Sequence, residues 1–269
     1  MPRFTVLLTD YAWPDLEIER RLLAAIDAEL LVAEDASVAG LKALAPRADA
    51  IMTNWAKVPR EVIEAAPNCK IVSRLGIGLD NIDVAYFTER GIPVTNVPDY
   101  CLIEVAEHAL ALLLALARKI GWYHHATMQG EYKLQSGPVL RRIEGQTLGI
   151  AGLGNIGTAL AQRASALGLR VLATSRTPKE VPGVEFVPFE RLLAESDYLS
   201  LHVPLTEKTR HMIGAAQLAQ MKPSAYLINT SRGGLIDHAA LAVALEANKL
   251  AGAALDVQDP EPPNLWLLL

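Results

Sequence analysis

Between Gln146 and Gly157 the sequence reads Gln-Thr-Leu-Gly-Ile-Ala-Gly-Leu-Gly-Asn-Ile-Gly, an apolar run that opens into Gly152-x-Gly154-x-x-Gly157. Glycines at that spacing suit one task, the holding of a pyrophosphate by backbone alone. Gly152 allows a tight turn, Gly154 lets the backbone approach the phosphates, and Gly157 lets the next helix pack closely on the strand. The start of that helix offers free N–H groups and the positive end of a helix dipole. A bare pattern of this kind is a weak signal, but its required context is present: a strand over 148–151, a helical pattern over 156–167 and a second strand over 170–175. A dinucleotide is the ligand such a unit takes. At the end of the second strand an NAD protein usually carries Asp or Glu for the ribose hydroxyls. Here Ser175 stands there, Arg176 follows and Lys179 is near. That favours a phosphorylated ribose, hence NADP, with NAD as the alternative.

Two other segments carry groups suited to a small acid. Gly76-Ile77-Gly78 follows the run 70–74 and lacks the third glycine of a dinucleotide loop. With Arg74 beside them, the N–H groups of Gly76, Ile77 and Gly78 suit a small carboxylate; a structural turn is the alternative. Asn229-Thr230-Ser231 ends another strand, and Arg232 follows with Gly233 and Gly234 behind it, residues that permit a sharp turn. An arginine fork there can hold a 2-keto acid by its carboxylate and carbonyl oxygens while hydride arrives from a nicotinamide. His108, His124, His125 and His238 are read as solvated or packed side chains, and no metal site is expected.

The elements that must position these groups alternate along the chain. Short apolar, β-branched runs fall at 4–9, 50–53, 70–74, 93–95, 148–151, 170–175, 198–203, 225–230 and 251–256, with helical patterns between them at 16–31, 156–167 and 237–248. Such alternation predicts an α/β fold with parallel sheet covered by helices. A longer helical pattern from 99 to 120, with Asp99 as its N-cap, reads as a bridge between a first domain, 1–98, and a second, 99–269. The chain has 269 residues, 51% hydrophobic and 20% charged, with a net charge of −5. That composition excludes a disordered chain and shows no basic footprint for nucleic acid. Cys69 and Cys101, the two cysteines, do not make a disulfide framework, so a reducing cytoplasm is expected. The longest apolar run, 109–117, is about half a membrane span, and no membrane association is expected.

Taken in order, these motifs resemble the D-isomer-specific 2-hydroxyacid dehydrogenases, a family that includes D-3-phosphoglycerate dehydrogenase, glyoxylate and hydroxypyruvate reductases, formate dehydrogenase and the C-terminal-binding corepressors. Arg74-Leu-Gly-Ile-Gly-Leu-Asp-Asn-Ile-Asp83 resembles the family's substrate loop and Val105-Ala-Glu-His108 its bridging helix. His202-Val-Pro-Leu-Thr206 is similar to the segment that walls the cofactor, and Asn229-Thr-Ser-Arg-Gly-Gly-Leu-Ile-Asp237 to the segment bearing the catalytic arginine. Leu255-Asp-Val-Gln-Asp-Pro-Glu-Pro262 resembles the segment that carries a nicotinamide-side aspartate and the catalytic glutamate.

The resemblance implies two doubly wound parallel-sheet lobes, a flavodoxin-like substrate domain and a Rossmann cofactor domain, with the active site between them. It implies Arg232 and Glu261 as catalytic residues and Arg74, Gly76, Ile77 and Gly78 as substrate-binding. Val105, Gly152, Gly154, Asn155, Ile156, Gly157, Ser175, Arg176, His202, Val203, Pro204, Thr209, Thr230, Ser231 and Asp256 are implied around the cofactor. It also implies a D-specific 2-keto or 2-hydroxy acid as substrate, and a homodimer. The family's acid–base histidine lies beyond the glutamate, followed by a helix that returns to the first domain. This sequence has no His after His238 and runs to Leu269, so the expectation is a functional protein that continues further, or else an impaired form. The second reading is a nucleotide-binding protein with little turnover, a truncated relic or a corepressor-like module.

Overall fold

The computed structural model describes residues 2–132, 137–177 and 179–260. Backbone contacts divide the chain into two compact units, Met1–Tyr100 and Cys101–Leu269. The first unit runs through β1 (Phe4–Leu8), α1 (Glu17–Ala24), β2 (Ala28–Val32), α2 (Val38–Leu44), β3 (Ala50–Thr53), α3 (Arg60–Glu64), β4 (Val72–Arg74), α4 (Val84–Glu89) and β5 (Val94–Thr95). The five strands are parallel in the order β2-β1-β3-β4-β5, the flavodoxin-like arrangement. β1 is covered on both faces. Leu7 packs with Leu41, Ile51, Val72 and Phe87, whereas Val6 and Leu8 pack with Leu16 and Leu30. A strand buried on both sides has no solvent face to alternate toward, which is why its sequence reads as a nearly unbroken apolar run.

The helix expected over 16–31 is a helix followed by a strand. α1 stops at Ala24, Asp27 takes a left-handed φ of 58°, and the chain enters β2. The apolar residues of 28–32 satisfy either period. Pairing with β1, from Phe4 against Ala28 to Leu8 against Val32, decides for the strand.

The second unit opens with α5 (Leu102–Arg118) and α6 (Ile120–Met128), then continues through β6 (Thr147–Ala151), α7 (Asn155–Ala166), β7 (Arg170–Thr174), β8 (Val184–Phe186), α8 (Phe189–Glu195), β9 (Tyr198–Leu201), α9 (Ala215–Leu218), β10 (Tyr226–Asn229), α10 (His238–Glu246) and β11 (Gly252–Leu255). Its six parallel strands lie in the order β11-β10-β9-β6-β7-β8. Read from the other edge this is the doubly wound Rossmann order, and its switch point falls between β6 and β9. Ligands bind such sheets outside the carboxyl ends of the strands at that point.

β6 is buried at every residue. Leu148 and Ile150 join Val171, Ile228 and Leu160 under α5, whose inward face carries Ala106, Ala109, Leu113 and Ala117. The opposite face of the sheet packs Leu172, Leu192, Leu199, Leu227 and Leu241. Each fully buried leucine is worth about 1.5–3 kcal/mol relative to exposure. The long helix expected over 99–120 is shorter: Cys101, not Asp99, is its N-cap, and Lys119 at φ 56° turns the chain into α6. The short strand β8 and the helix α6 were not expected from the sequence. No helix of the described residues is long and apolar enough to cross a membrane.

Candidate functional site

The three glycines of the β6–α7 loop meet three different constraints. Gly152 has φ +98°, and a Cβ there would lie 2.5 Å from the His202 carbonyl oxygen and 2.8 Å from Val203 Cγ1. A Cβ on Gly157 would lie 2.3 Å from the Gly152 carbonyl oxygen, so the helix sits on its own approach loop. Gly154 is different: a Cβ there would meet nothing within 4 Å. Gly154 is exposed and forms the N-cap of α7 without any side-chain cap bond. The amides of the first helical turn, at Asn155 and Ile156, therefore lack the partner that a capping side chain supplies. Backbone donors, a helix dipole and open space in front of Gly154 make a cradle for a phosphate.

Two backbone bonds fix this loop to its neighbours. The Gly152 N–H donates to the Thr174 carbonyl at 2.9 Å, and the His202 N–H donates to the Ala151 carbonyl at 2.7 Å. The first places Ser175, half-buried, and Arg176, exposed, directly after the strand end that the loop touches. The second brings the segment His202, Val203 and Pro204 against Gly152. Burial pushes the His202 imidazole down to about 4, so the ring is neutral at physiological pH; its Nε2 lies 2.8 Å from the buried Ser200 hydroxyl. Thr209 has its hydroxyl turned on its own loop, donating to the Pro204 carbonyl at 2.7 Å and accepting from the Thr206 N–H at 2.8 Å.

The end of β10 is shaped by the side chain of Asn229. Buried Asn229 donates from Nδ2 to the Arg232 carbonyl at 2.8 Å and accepts the Ser231 N–H on Oδ1 at 3.0 Å. An Asx turn of this kind is signalled by asparagine at a strand end two residues before serine. Ser231 donates its hydroxyl to the Val203 carbonyl at 2.7 Å, tying β10 to the segment after β9. The Thr230 hydroxyl is buried and meets no partner among the described residues. Arg232 is half-buried, with Nη1 donating to the Ser231 carbonyl at 2.7 Å.

Gly233 and Gly234 serve close packing rather than a left-handed turn. A Cβ on Gly233 would fall 2.0 Å from the Gln258 carbonyl group, and one on Gly234 would fall 3.1 Å from Asp259 Oδ2. Arg210 Nη1 binds the same Asp259 Oδ2 at 3.1 Å. Asp256 follows β11, with its N–H donating to the Asn229 carbonyl at 3.0 Å, and its Oδ1 lies 3.2 Å from His108 Nε2 on α5. Val105 is half-buried one turn before His108. Glu261 lies outside the described residues.

In the first unit, Arg74 is buried. It donates from Nε to Asn81 Oδ1 at 3.2 Å and from Nη1 to Asn54 Oδ1 at 3.3 Å. A Cβ on Gly76 would lie 2.6 Å from Arg74 Nη1, so glycine there admits the folded-back guanidinium. The carbonyls of Gly76 and Ile77 accept from Val97 N–H and Asn96 Nδ2 at 3.1 and 2.8 Å. Among the described residues no acceptor meets the N–H groups of Gly76, Ile77 or Gly78. A loop with filled acceptors and open donors is suited to an anion. Asp10 shapes the neighbouring turn, accepting the N–H groups of Asn54, Trp55 and Ala56 at 3.1, 2.7 and 3.1 Å. Burial would raise its carboxyl, but the hydrogen bonds from Thr9 and these amides outweigh it and hold the group below the usual carboxylate range. Among the described residues no three His, Cys, Asp or Glu side chains gather to hold a metal ion.

Residues 110–267 match the family of D-isomer specific 2-hydroxyacid dehydrogenases through its NAD binding domain. The chain is 46% identical over 220 residues to a glyoxylate reductase of Korarchaeum cryptofilum, covering 78% of this chain and 66% of that protein. It is 47% identical over 216 residues to a glyoxylate reductase of Thermococcus litoralis, covering 77% and 65%. The chain thus spans slightly less than two thirds of these relatives. The crystal structure of a D-lactate dehydrogenase from Aquifex aeolicus, complexed with NAD and lactic acid, superposes with a TM-score of 0.88 at 30% identity, covering 96% of this chain and 78% of that one. Two Rossmann-like parallel-sheet units, the Gly152 loop and this likeness place the chain in the D-isomer specific 2-hydroxyacid dehydrogenase family.

Gly152→Ala forces a side chain into a left-handed backbone and onto the His202 carbonyl. It should lower the melting temperature, at about 1–3 kcal/mol of strain, and abolish dinucleotide binding; an unchanged melt and an unchanged titration would refute this account of the loop. Half-buried by accessible surface, His202 still gives a pH signature. Its folded pKa is depressed, so between about 6.5 and 4 the unfolded chain binds the extra proton and stability falls as pH falls. In denaturant titrations His202→Gln should flatten that slope, and an equally steep slope in the variant would exclude His202 as its source.

Proposed function

We propose that this chain binds a nicotinamide dinucleotide at the Gly152 loop and serves hydride transfer between that cofactor and a small D-2-hydroxy acid or its 2-keto partner, such as glyoxylate or hydroxypyruvate. The observation that carries the reading is the loop itself: Gly152 and Gly157 are closed by backbone, while Gly154 alone opens onto free space. That asymmetry fits a pyrophosphate, and a turn that is merely glycine-rich does not require it. When bound, the nicotinamide supplies the hydride chemistry.

The chain's own residues supply binding and orientation. Gly154, Asn155 and Ile156 present backbone donors to the phosphates, with Gly157 allowing the helix to approach. Ser175 brings no carboxylate to the ribose and Arg176 brings an exposed cation, which supports NADP over NAD. His202, Val203 and Pro204, with their loop closed by Thr209, wall the cofactor; Thr230 and Ser231 flank it from the end of β10, and Val105 from α5. Asp256 offers a carboxylate to the nicotinamide carboxamide. Arg232, with its backbone braced by Asn229, binds the substrate's carboxylate and carbonyl oxygens and polarises the carbonyl. Within the first unit, the open amides of Gly76, Ile77 and Gly78 beside Arg74 suit a small carboxylate. Glu261 takes the family's role of orienting an acid–base imidazole. A homodimer built on the second unit belongs to the same reading.

Arg176→Ala should weaken NADPH about 10- to 100-fold, the loss of one charged hydrogen bond, and leave NADH nearly unchanged in fluorescence titrations. Tighter NADH than NADPH binding in the unmodified protein would reverse the assigned preference. Arg232→Ala should remove reduction of glyoxylate and hydroxypyruvate while dinucleotide binding persists, and Arg232→Lys should not restore it, because a lysine lacks the two-pronged fork. Unchanged turnover in Arg232→Ala would take Arg232 out of the reaction.

A further inference from the structure

α5 runs antiparallel to β11, and the two are matched in length from one shared contact. Near one end Leu116 Cδ2 lies 3.8 Å from the Cβ position of Gly252. From Leu116 back to His108 the helix rises about 12 Å, and from Gly252 forward to Asp256 the strand rises about 13 Å. His108 and Asp256 therefore arrive together at the carboxyl end of the sheet, where their side chains stand 3.2 Å apart, Nε2 to Oδ1, both about half-exposed. The inward face of α5 explains why the helix is held in that place. Ala106, Ala109, Leu113 and Ala117 are buried against Leu148, Ile150 and Ile228. Glu107 meets Arg163 of α7 at 3.4 Å on the flank. The backbone of Asp256 is fixed as well, by its N–H to the Asn229 carbonyl.

What remains free in Asp256 is the rotation of its carboxylate. His108 binds one oxygen, Oδ1, and Oδ2 meets no donor among the described residues. A carboxylate held through one oxygen, in a side chain about half-exposed, keeps a second acceptor for a ligand. We propose that His108 is a positioning residue that sets the Asp256 carboxylate to accept the carboxamide N–H of a bound nicotinamide. Val105, one helical turn earlier, shares the His108 face of α5 by helix spacing. The inference rests on the dinucleotide reading of the Gly152 loop and adds a group to its nicotinamide end. His108 touches Asp256 rather than any reacting atom, so its effect is on where the ring is held.

The test compares ligands with and without the nicotinamide. Unmodified protein, His108→Ala and His108→Gln are titrated with NADH and ADP-ribose, and with NADPH and 2′-phospho-ADP-ribose. His108→Ala should weaken the complete dinucleotides about 3- to 10-fold, the scale of one ordinary hydrogen bond, and leave the ADP-ribose ligands unchanged. His108→Gln, which keeps an N–H donor near the same reach, should recover most of the loss. Equal affinity of all three proteins for the complete dinucleotides overturns the inference. Parallel loss of ADP-ribose binding overturns it too, since that assigns His108 to general packing. If the unmodified protein binds none of the four ligands, the dinucleotide reading itself falls, and the inference with it.

Discussion

The carbonyl of His202 lies where a side chain on residue 152 would have to go. That single steric exclusion organises the second unit. It forces glycine at 152, and the left-handed φ there reverses the chain directly out of β6. The reversal sets α7 down so close that residue 157 must also be glycine, against the carbonyl of Gly152. Hydrogen bonds from Gly152 to Thr174 and from His202 to Ala151 lock the loop between the ends of β7 and β9. The sheet order puts those two strands on either side of β6, so the loop occupies the switch point of a doubly wound sheet. One exposed helix start, with no capping side chain, is left at the centre of a rigid frame.

The far side of the sheet end follows a second set of braces. Asn229 spends its side-chain amide on the backbone around Arg232, and Ser231 ties that turn to Val203. Gly233 then leaves room for the Gln258 carbonyl, and Arg210 clasps Asp259. The arginine and the acidic segment after β11 are thus packed by backbone contact. Small displacements in either would move both.

Much of this was legible in the sequence because the constraints are local. The glycine spacing at 152, 154 and 157 announces a strand, turn and helix, and the apolar runs announce strands buried on both faces. The stretch 16–31 misled because its apolar spacing fits a helix, while Asp27, a residue without glycine's freedom, takes the left-handed turn that ends α1. Asp99 was a reasonable cap by type, yet the helix starts after Cys101. Gly233 and Gly234 suggest a turn by residue type, and their need is instead the backbone of Gln258 and the side chain of Asp259. The pairs His108–Asp256 and Arg210–Asp259 join residues remote in sequence. Sequence period says which face of α5 is inward but not which strand end its polar residues reach. Nor does residue type show that Thr209 turns its hydroxyl on its own loop.

The central claim is that the backbone amides at the start of α7 hold the phosphates of a dinucleotide. Amide resonances of 15N-labelled protein, followed as NADPH is added, test it at the atoms concerned. The account predicts that the largest shifts fall on Gly154, Asn155, Ile156 and Gly157, with saturation in step with bulk binding. Saturable binding that leaves those amides unmoved, with the largest shifts elsewhere in the chain, would contradict it.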